Sequence, residues 1–190
     1  MKKHLVTAIL YTITTTVLLG LVYPLVVTGI AQVLFKNKAN GQIIVRNGKA
    51  IGSRIIGQPF TGAAYFHSRP SAAGDGYDAA SSGGSNLAPT SGKLVAIVEQ
   101  RVKTEQVGTQ PVPIELVTAS ASGLDPHISP AAALYQVSRV AQARGISQDE
   151  LRKLIAKYTE GRQLGLFGEP RVNVLALNLE LDTVHPKSQP

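Results

Sequence analysis

A chain of 190 residues has room for one soluble domain of ordinary size and one further element. It carries a formal net charge of +7, from 19 Lys and Arg against 12 Asp and Glu, and it has no cysteine and no tryptophan. The missing cysteines exclude disulfides, thiolate zinc sites and cysteine nucleophiles, and they fit an oxidising exterior without requiring one.

The basic excess is local. Residues 1–50 carry Lys2, Lys3, Lys36, Lys38, Arg46 and Lys49 and no acid, whereas the remaining Lys and Arg are nearly matched by Asp and Glu. Such a distribution suits a membrane flank facing anionic headgroups and lacks the basic stripe that binding to a phosphate backbone requires. With four Phe and six Tyr, platforms for stacking bases are scarce as well, so membrane lipids are expected partners and nucleic acid is not.

The first predicted element is a membrane anchor. From Leu5 to Phe35 the run LVTAILYTITTTVLLGLVYPLVVTGIAQVLF has no charged side chain, and it exceeds the roughly 20 apolar residues that cross a ~30 Å hydrocarbon layer. We expect a short cytoplasmic tail over 1–5, one transmembrane helix over 6–34 and a soluble domain over 35–190. The threonines Thr12, Thr14, Thr15 and Thr16 can bond back to the helix's own carbonyls and do not forbid the span. Gly20, Pro24 and Gly29 predict a kink and close approach by another helix, as in a larger membrane complex. A cleaved signal peptide competes, because Lys2 and Lys3 make a basic start and Gly29-Ile30-Ala31 is a small-x-small site. Signal cores run about 7 to 15 residues, so an uncleaved anchor is expected. Lysines flank both ends, and the positive-inside count alone does not orient the chain. Long domains cross largely regardless of their charge, so the Lys pair favours tail inside and domain outside.

Beyond Lys38, Gly41, Gly48, Gly52 and Gly57 punctuate Ile43-Ile44-Val45 and Ile55-Ile56, which predicts a hairpin-rich start. From Pro59 to Gly92 runs a region of Gly, Ser, Ala, Pro and Asn with isolated aromatics. It lacks the high charge of disorder, so we expect an ordered loop layer that makes contacts. A helix is predicted over Lys93–Gln106 with Ser91 as N-cap, and a strand over Val112–Ala119. Ser129-Pro130 opens a helix that Gly145 closes. Ser147 to Glu150 is a capping box starting a last helix that ends at Gly161. VNVLALNLELD, from Val172 to Asp182, alternates but slips in phase between Val174 and Leu175, so it is either a bulged strand or a strand running into helix. The fold class is α+β: one N-terminal transmembrane helix followed by a single mixed soluble domain without internal repeats.

Three stretches invite chemistry. SSGGSNLAPTSGK, Ser81 to Lys93, looks like a phosphate loop, but GxxxxGK followed by Ser or Thr needs glycine where Leu87 stands and a hydroxyl where Leu94 stands. Gly74-Asp75-Gly76-Tyr77-Asp78-Ala79 fits the letters GxGxxA but lacks the preceding strand and the following helix. What survives is a weak anion or nucleotide contact from Ser82, Gly83, Gly84 and Ser85 with Lys93 at a helix start, against a glycine turn packed on a neighbouring subunit. SASGLDPHIS holds Ser120, Ser122, Asp125, His127 and Ser129. Crowding a Ser-His-Asp triad into ten residues makes its line of atoms hard to build, and turn and cap roles fit these residues better. Asp125 and His127 offer two metal ligands, too few for a site. Tyr65, Phe66, His67 and Arg69 suit surface contacts, with Arg69 available to a partner's carboxylate.

Taken in order, the anchor, Ile56-Gly57-Gln58-x-Phe60, Tyr65-Phe66-x-x-Arg69-Pro70-Ser71-Ala72, Ser82-Gly83-Gly84-Ser85-Asn86-Leu87, Gly123-Leu124-Asp125-Pro126-His127-Ile128-Ser129-Pro130 and Gly168-Glu169-Pro170-Arg171-Val172-Asn173-Val174-Leu175 resemble the KdpC family, the C subunit of the Kdp potassium-transporting ATPase. The resemblance covers nearly the whole chain. It implies a non-catalytic accessory subunit of a bacterial inner-membrane pump beside a channel-like potassium-binding subunit, a P-type ATPase subunit and a small membrane peptide. No cofactor or metal is expected to be firmly bound; ATP is expected through the pump subunit, with direct ATP contact by this chain as the lesser hypothesis. The family has been described both as a catalytic chaperone raising that subunit's ATP affinity and as carrying its soluble domain on the periplasmic face, over the channel-like subunit. These two ideas conflict, because ATP is cytosolic. An external domain agrees with the tail-in orientation, which favours assembly and control at the potassium entry side. The expected subunit contacts are Gly20, Pro24 and Gly29 in the anchor and Tyr65, Arg69, Asn86 and Leu87 in the loop layer. The alternative is a membrane-tethered nucleotide-binding or hydrolytic protein.

Overall fold

The computed structural model describes residues 1–186; the last four positions of the expected soluble domain, 187–190, lie outside the described residues. The chain forms two compact units, Met1–Ile51 and a second that begins at Gly52.

The first unit opens with one continuous helix over Lys2–Leu34, long and apolar enough to cross a membrane. None of its residues is buried, unlike the core helix of a soluble domain. It comprises α1 (Lys2–Val17), a π-helical turn (Leu18–Val22) and α2 (Tyr23–Leu34). The π turn has a local cause. Pro24 brings no N–H to the ladder, and its ring crowds the carbonyl four residues back, at Gly20, so the helix widens there. Thr12 and Thr15 donate their hydroxyls to Ala8 O and Tyr11 O, satisfying polar groups within the helix itself. A single turn, α3 (Lys36–Ala39), follows, and the Asn40 and Gln32 side-chain amides pair at 3.2 and 3.3 Å. Strands β1 (Ile43–Arg46) and β2 (Lys49–Ser53) form a hairpin. Asn47 and Gly48 between them have φ of 52° and 74°, the two positive values that a type I′ turn demands. Ile55-Ile56 lies beyond the strand.

In the second unit the helices are α4 (Gly92–Glu105), α5 (Ile114–Val117), α6 (Pro130–Tyr135), α7 (Val137–Arg144), α8 (Gln148–Tyr158) and α9 (Val174–Val184). The strands are β3 (His127–Ile128), β4 (Thr159–Glu160) and β5 (Arg171–Asn173). They form a small antiparallel sheet in the order β3-β5-β4, with His127 opposite Asn173 and both Ile128 and Thr159 opposite Val172. α8 and α9 pack on it, around a core that includes Phe66, Ile128, Val140, Ile155, Val172 and Leu177.

Several expectations are corrected. The strand predicted over Val112–Ala119 is largely absent, because Ile114–Val117 is the helical turn α5. Leu116 and Val117 are both buried while Ile114 is 74% exposed, and consecutive buried positions fit a helical turn and not a strand's alternation. The turn also delivers Glu115, whose carboxylate accepts the Ser129 backbone N–H at 2.9 Å and the Ser129 hydroxyl. The helix opened by Ser129 breaks at Gln136 into α6 and α7 before Gly145, at φ 67°, closes it. The capping box at Ser147 and Glu150 is formed, but α8 ends at Tyr158 and not at Gly161. Ser91 stands at the N-cap of α4 without a side-chain bond. The phase slip at Val174 marks the passage from β5 into α9, where Asn173 caps the new helix by accepting Ala176 N–H at 3.0 Å.

Candidate functional site

The loop layer from Pro59 to Gly92 contains no helix or strand before α4, yet Phe66 at its centre is fully buried. Buried side-chain amides do what a neighbouring strand would do. Asn178 accepts Phe66 N–H at 2.9 Å and donates to Phe66 O at 2.9 Å. Gln136 accepts His67 N–H at 2.7 Å and donates to His67 O at 3.3 Å. Two arginines hold the preceding turn: Arg139 donates to Ala63 O at 2.8 Å and Tyr65 O at 3.0 Å, and Arg144 donates to Ala64 O at 2.7 Å. Arg144 also pairs with Asp182 at 2.7 Å and lies 4.9 Å over the Tyr65 ring. With all these carbonyls satisfied, the loop holds one conformation without secondary structure of its own.

The two chemically suggestive loops meet. The Ser82 hydroxyl donates to Ser122 O at 3.0 Å and Gly83 N–H donates to the same carbonyl at 2.9 Å. The backbones approach so closely that a Cβ at Gly123, which has φ 66°, would sit 2.6 Å from Gly83 O, and one at Gly84 would sit 3.2 Å from Ala121 O. The donors that would cradle an anion at Ser82 and Gly83 are therefore used in joining the loops. Ser85 accepts Leu87 N–H at 3.5 Å, Asn86 is exposed at φ 53°, and Lys93 is exposed on the first turn of α4.

No Ser-His-Asp line forms in SASGLDPHIS. His127 Nδ1 lies 3.7 Å from Asp125, but its Nε2 faces the Asn173 amide at 3.5 Å. Ser120 and Ser122 pair with each other at 3.3 Å, and Ser129 serves Glu115 and the cap of α6. Asp125 accepts His127 N–H at 3.0 Å and Arg69 at 3.2 Å. Burial would raise its carboxyl, but the His127 bonds and the Arg69 guanidinium outweigh that and hold it below the ordinary value. No group of three or more His, Asp or Glu able to hold a metal occurs among the described residues.

A separate open cleft is lined by Phe60, His67, Tyr77, Gln100, Arg101 and Glu105, among others. Inside it both Glu105 oxygens meet His67 Nδ1, at 2.9 and 3.1 Å, tying α4 to the loop layer. Burial pushes the Tyr77 hydroxyl up and the Arg101 guanidinium down from their ordinary values.

The expected contact residues thus occupy different settings. Tyr65 donates to Asp182 at 3.0 Å, and the carboxylate that Arg69 meets is Asp125 of its own chain. Asn86 is exposed and Leu87 half-buried. In the anchor, a Cβ at Gly29 would meet nothing within 4 Å and one at Gly20 only Thr16 at 4.0 Å, leaving both free for an outside neighbour. Sequence reasoning passed over Leu164, Leu166 and Phe167, which are 88%, 76% and 63% exposed. The available signal was their spacing between glycines, Leu164-Gly165-Leu166-Phe167-Gly168, in a chain with few aromatics.

Residues 5–183 match the family model described as K+-transporting ATPase, c chain. A protein of Koribacter versatilis named potassium-transporting ATPase KdpC subunit is 64% identical, with both chains covered in full. Its namesake in Acidobacterium capsulatum is 65% identical over 96% of this chain and all of its own, and that of Rhodospirillum rubrum 55% identical over 90% and 91%. At this identity and coverage, the chain belongs to the KdpC family, the c chains of K+-transporting ATPases.

Proposed function

We propose that the chain is a non-catalytic accessory subunit of a bacterial high-affinity potassium uptake pump, required for assembly and activity of the complex. Its anchor packs beside other membrane helices through Gly20, Pro24 and Gly29. Its soluble domain lies on the periplasmic face of the inner membrane, where the loop layer from Tyr65 to Leu87 contacts the channel-like potassium-binding subunit. The P-type ATPase subunit and the small membrane peptide complete the complex.

One observation carries this reading: the groups that would do chemistry are used on one another. Ser82 and Gly83 donate to Ser122 O, Ser120 pairs with Ser122, and Asp125 with Arg69. A docking surface needs such fixed loops, whereas a nucleotide site needs free amides at a helix start. An influence on the pump subunit's ATP affinity, on this reading, passes through the complex and involves no nucleotide held by this chain.

The reading is tested by topology and calorimetry together. A reporter at the C-terminus is expected to be active only outside the cytoplasm, and the purified chain to take up no ATP at millimolar concentration. A cytoplasmic reporter with ATP uptake that Ser82→Ala abolishes would favour the nucleotide-binding alternative.

A further inference from the structure

Where the anchor ends, the chain turns back on itself. Val33, Leu34 and Phe35 are exposed apolar side chains, and Lys36 is the first charged side chain after the run that begins at Leu5. A run this long spans by tilting, and it sets the far boundary of the hydrocarbon layer at Phe35–Lys36. Beyond that boundary the Asn40 amide pairs with the Gln32 amide and donates to Lys36 O at 2.7 Å. Gly41 N–H then bonds to Lys38 O at 3.1 Å and Gln42 N–H to Asn37 O at 3.0 Å, with φ of 75° and 48° at these two residues. Gln32 lies in the last turn of α2, so these bonds hold residues 40–42 close to the end of the helix. β1 starts at the next residue, Ile43, and the β1–β2 hairpin is therefore rooted at the membrane boundary.

Around this root the charge has one sign. Lys36, Lys38, Arg46 and Lys49 are all exposed, and the first acid in the chain is Asp75. No ion pair among the described residues involves any of the four. Ile43 and Val45, two apart on one face of β1, are 52% and 60% exposed. Unpaired cations beside shallow apolar side chains, held at the boundary, make the pattern of a segment lying in the lipid interface. A protein surface could match these charges only by bringing carboxylates to that boundary, whereas phosphate headgroups surround the anchor there with or without other subunits. We propose that α3 and the β1–β2 hairpin lie on the bilayer surface and bind anionic phospholipid headgroups in the leaflet at the C-terminal end of the anchor. The Lys and Arg stems run along the apolar boundary while their charged ends meet phosphate. The inference rests on the anchor spanning a membrane and is independent of the assembly reading.

The chain has no cysteine, so Ala50→Cys, exposed on β2, carries a single fluorophore. The purified full chain is placed in nanodiscs of phosphatidylcholine, alone or mixed with phosphatidylglycerol, each containing a lipid with a quencher on its headgroup. Quenching is expected to be at least about threefold stronger with phosphatidylglycerol, and to fall back at high salt, which screens the attraction. Lys36→Gln, Lys38→Gln, Arg46→Gln and Lys49→Gln together should abolish the difference with the melting of the chain unchanged. Lys36→Arg, Lys38→Arg and Lys49→Arg together should keep it. Equal or absent quenching in the two lipid mixtures would show that the hairpin recognises no headgroup charge and would overturn the proposal. A probe open to aqueous iodide in both nanodiscs, and shielded only in the reconstituted complex, would assign the hairpin to another subunit and overturn it as well.

Discussion

Asn178 on α9 and Phe66 in the loop layer, 112 positions apart in sequence, form a reciprocal pair: the Asn178 side chain both accepts from and donates to the Phe66 backbone at 2.9 Å. Asn178 is 1% exposed and Phe66 fully buried. One amide thus gives Phe66 the backbone partners that a sheet would otherwise supply, and the ring fixes the loop layer to the core. The order of the loop layer rests on this pair and on Gln136 beside it.

Asn178→Ala leaves a buried N–H and a buried carbonyl unpaired and is expected to destabilise the second unit by about 3 kcal/mol. Asn178→Asp removes the donor and sets a carboxylate against Phe66 O, so it should be at least as harmful. Denaturant melts of the full chain in detergent check both. Melting midpoints equal to that of the unaltered chain would mean that the loop layer is held in some other way.

Arg144 is expected to be intolerant even of Lys. Its guanidinium serves Ala64 O, His185 O and Asp182 at once, and its side chain is 2% exposed. An ammonium cannot reproduce that fork. Arg144→Lys should cost about 2 kcal/mol and Arg144→Ala about 3 kcal/mol, with faster proteolysis near Tyr65 as a second readout.

The paired loops predict a contrast between two glycines. Gly123→Ala adds a Cβ at φ 66°, 2.6 Å from Gly83 O and 2.7 Å from Ala73 N, and should destabilise by upward of about 2 kcal/mol. At Gly83 an added Cβ meets only Ser81 O at 4.0 Å, so Gly83→Ala should leave the melt within about 0.5 kcal/mol. The Gly83 change should be neutral for activity too if the loop joins Ser122 and holds no nucleotide.

Asp125 gives the acid limb of stability a defined sign. Its carboxyl is held below the ordinary value in the folded state, so folding favours the ionised form. Its contribution is complete above the ordinary value of about 3.9 and disappears as pH falls through the lower folded value. Asp125→Asn should lower the urea midpoint by a constant amount above about pH 5, and the gap from the unaltered chain should close below about pH 4. A gap that widens on acidification would show that Arg69 and His127 do not stabilise the carboxylate.

In the anchor, Gly20→Leu and Gly29→Leu meet no obstacle within the chain, where the nearest atom to either Cβ is Thr16 at 4.0 Å. The isolated chain should melt normally, and recovery of the complex should fall severalfold if small residues let another helix approach. Normal recovery would place the helix contact elsewhere.

Local chemistry made much of this fold legible. The uncharged run, the Ser147 box, Ser129-Pro130 and Gly145 act through neighbours a few residues away, and each appears in place. The misread strand at Val112–Ala119 shows the limit: Glu115 and Ser129 pair across 14 positions and favour a turn where β-branched residues suggest a strand. The phase slip at Val174 was visible, but the length of α9 was not, because Asn173 caps that helix while also lying opposite His127 in the sheet. In the site, the positional failures of the phosphate-loop pattern were legible. That Gly83 and Ser122 join the two loops, and that Arg69 meets Asp125, are long-range facts that neither motif records alone.

On the proposed function, the pump needs this chain although the chain performs no chemistry. The direct measurement is potassium-stimulated ATP hydrolysis by detergent-purified complex produced with and without it. Omission is expected to abolish both a stable complex and the stimulated activity, and adding back the purified chain to restore them. A complex that assembles and hydrolyses ATP at the full rate without this chain would contradict it.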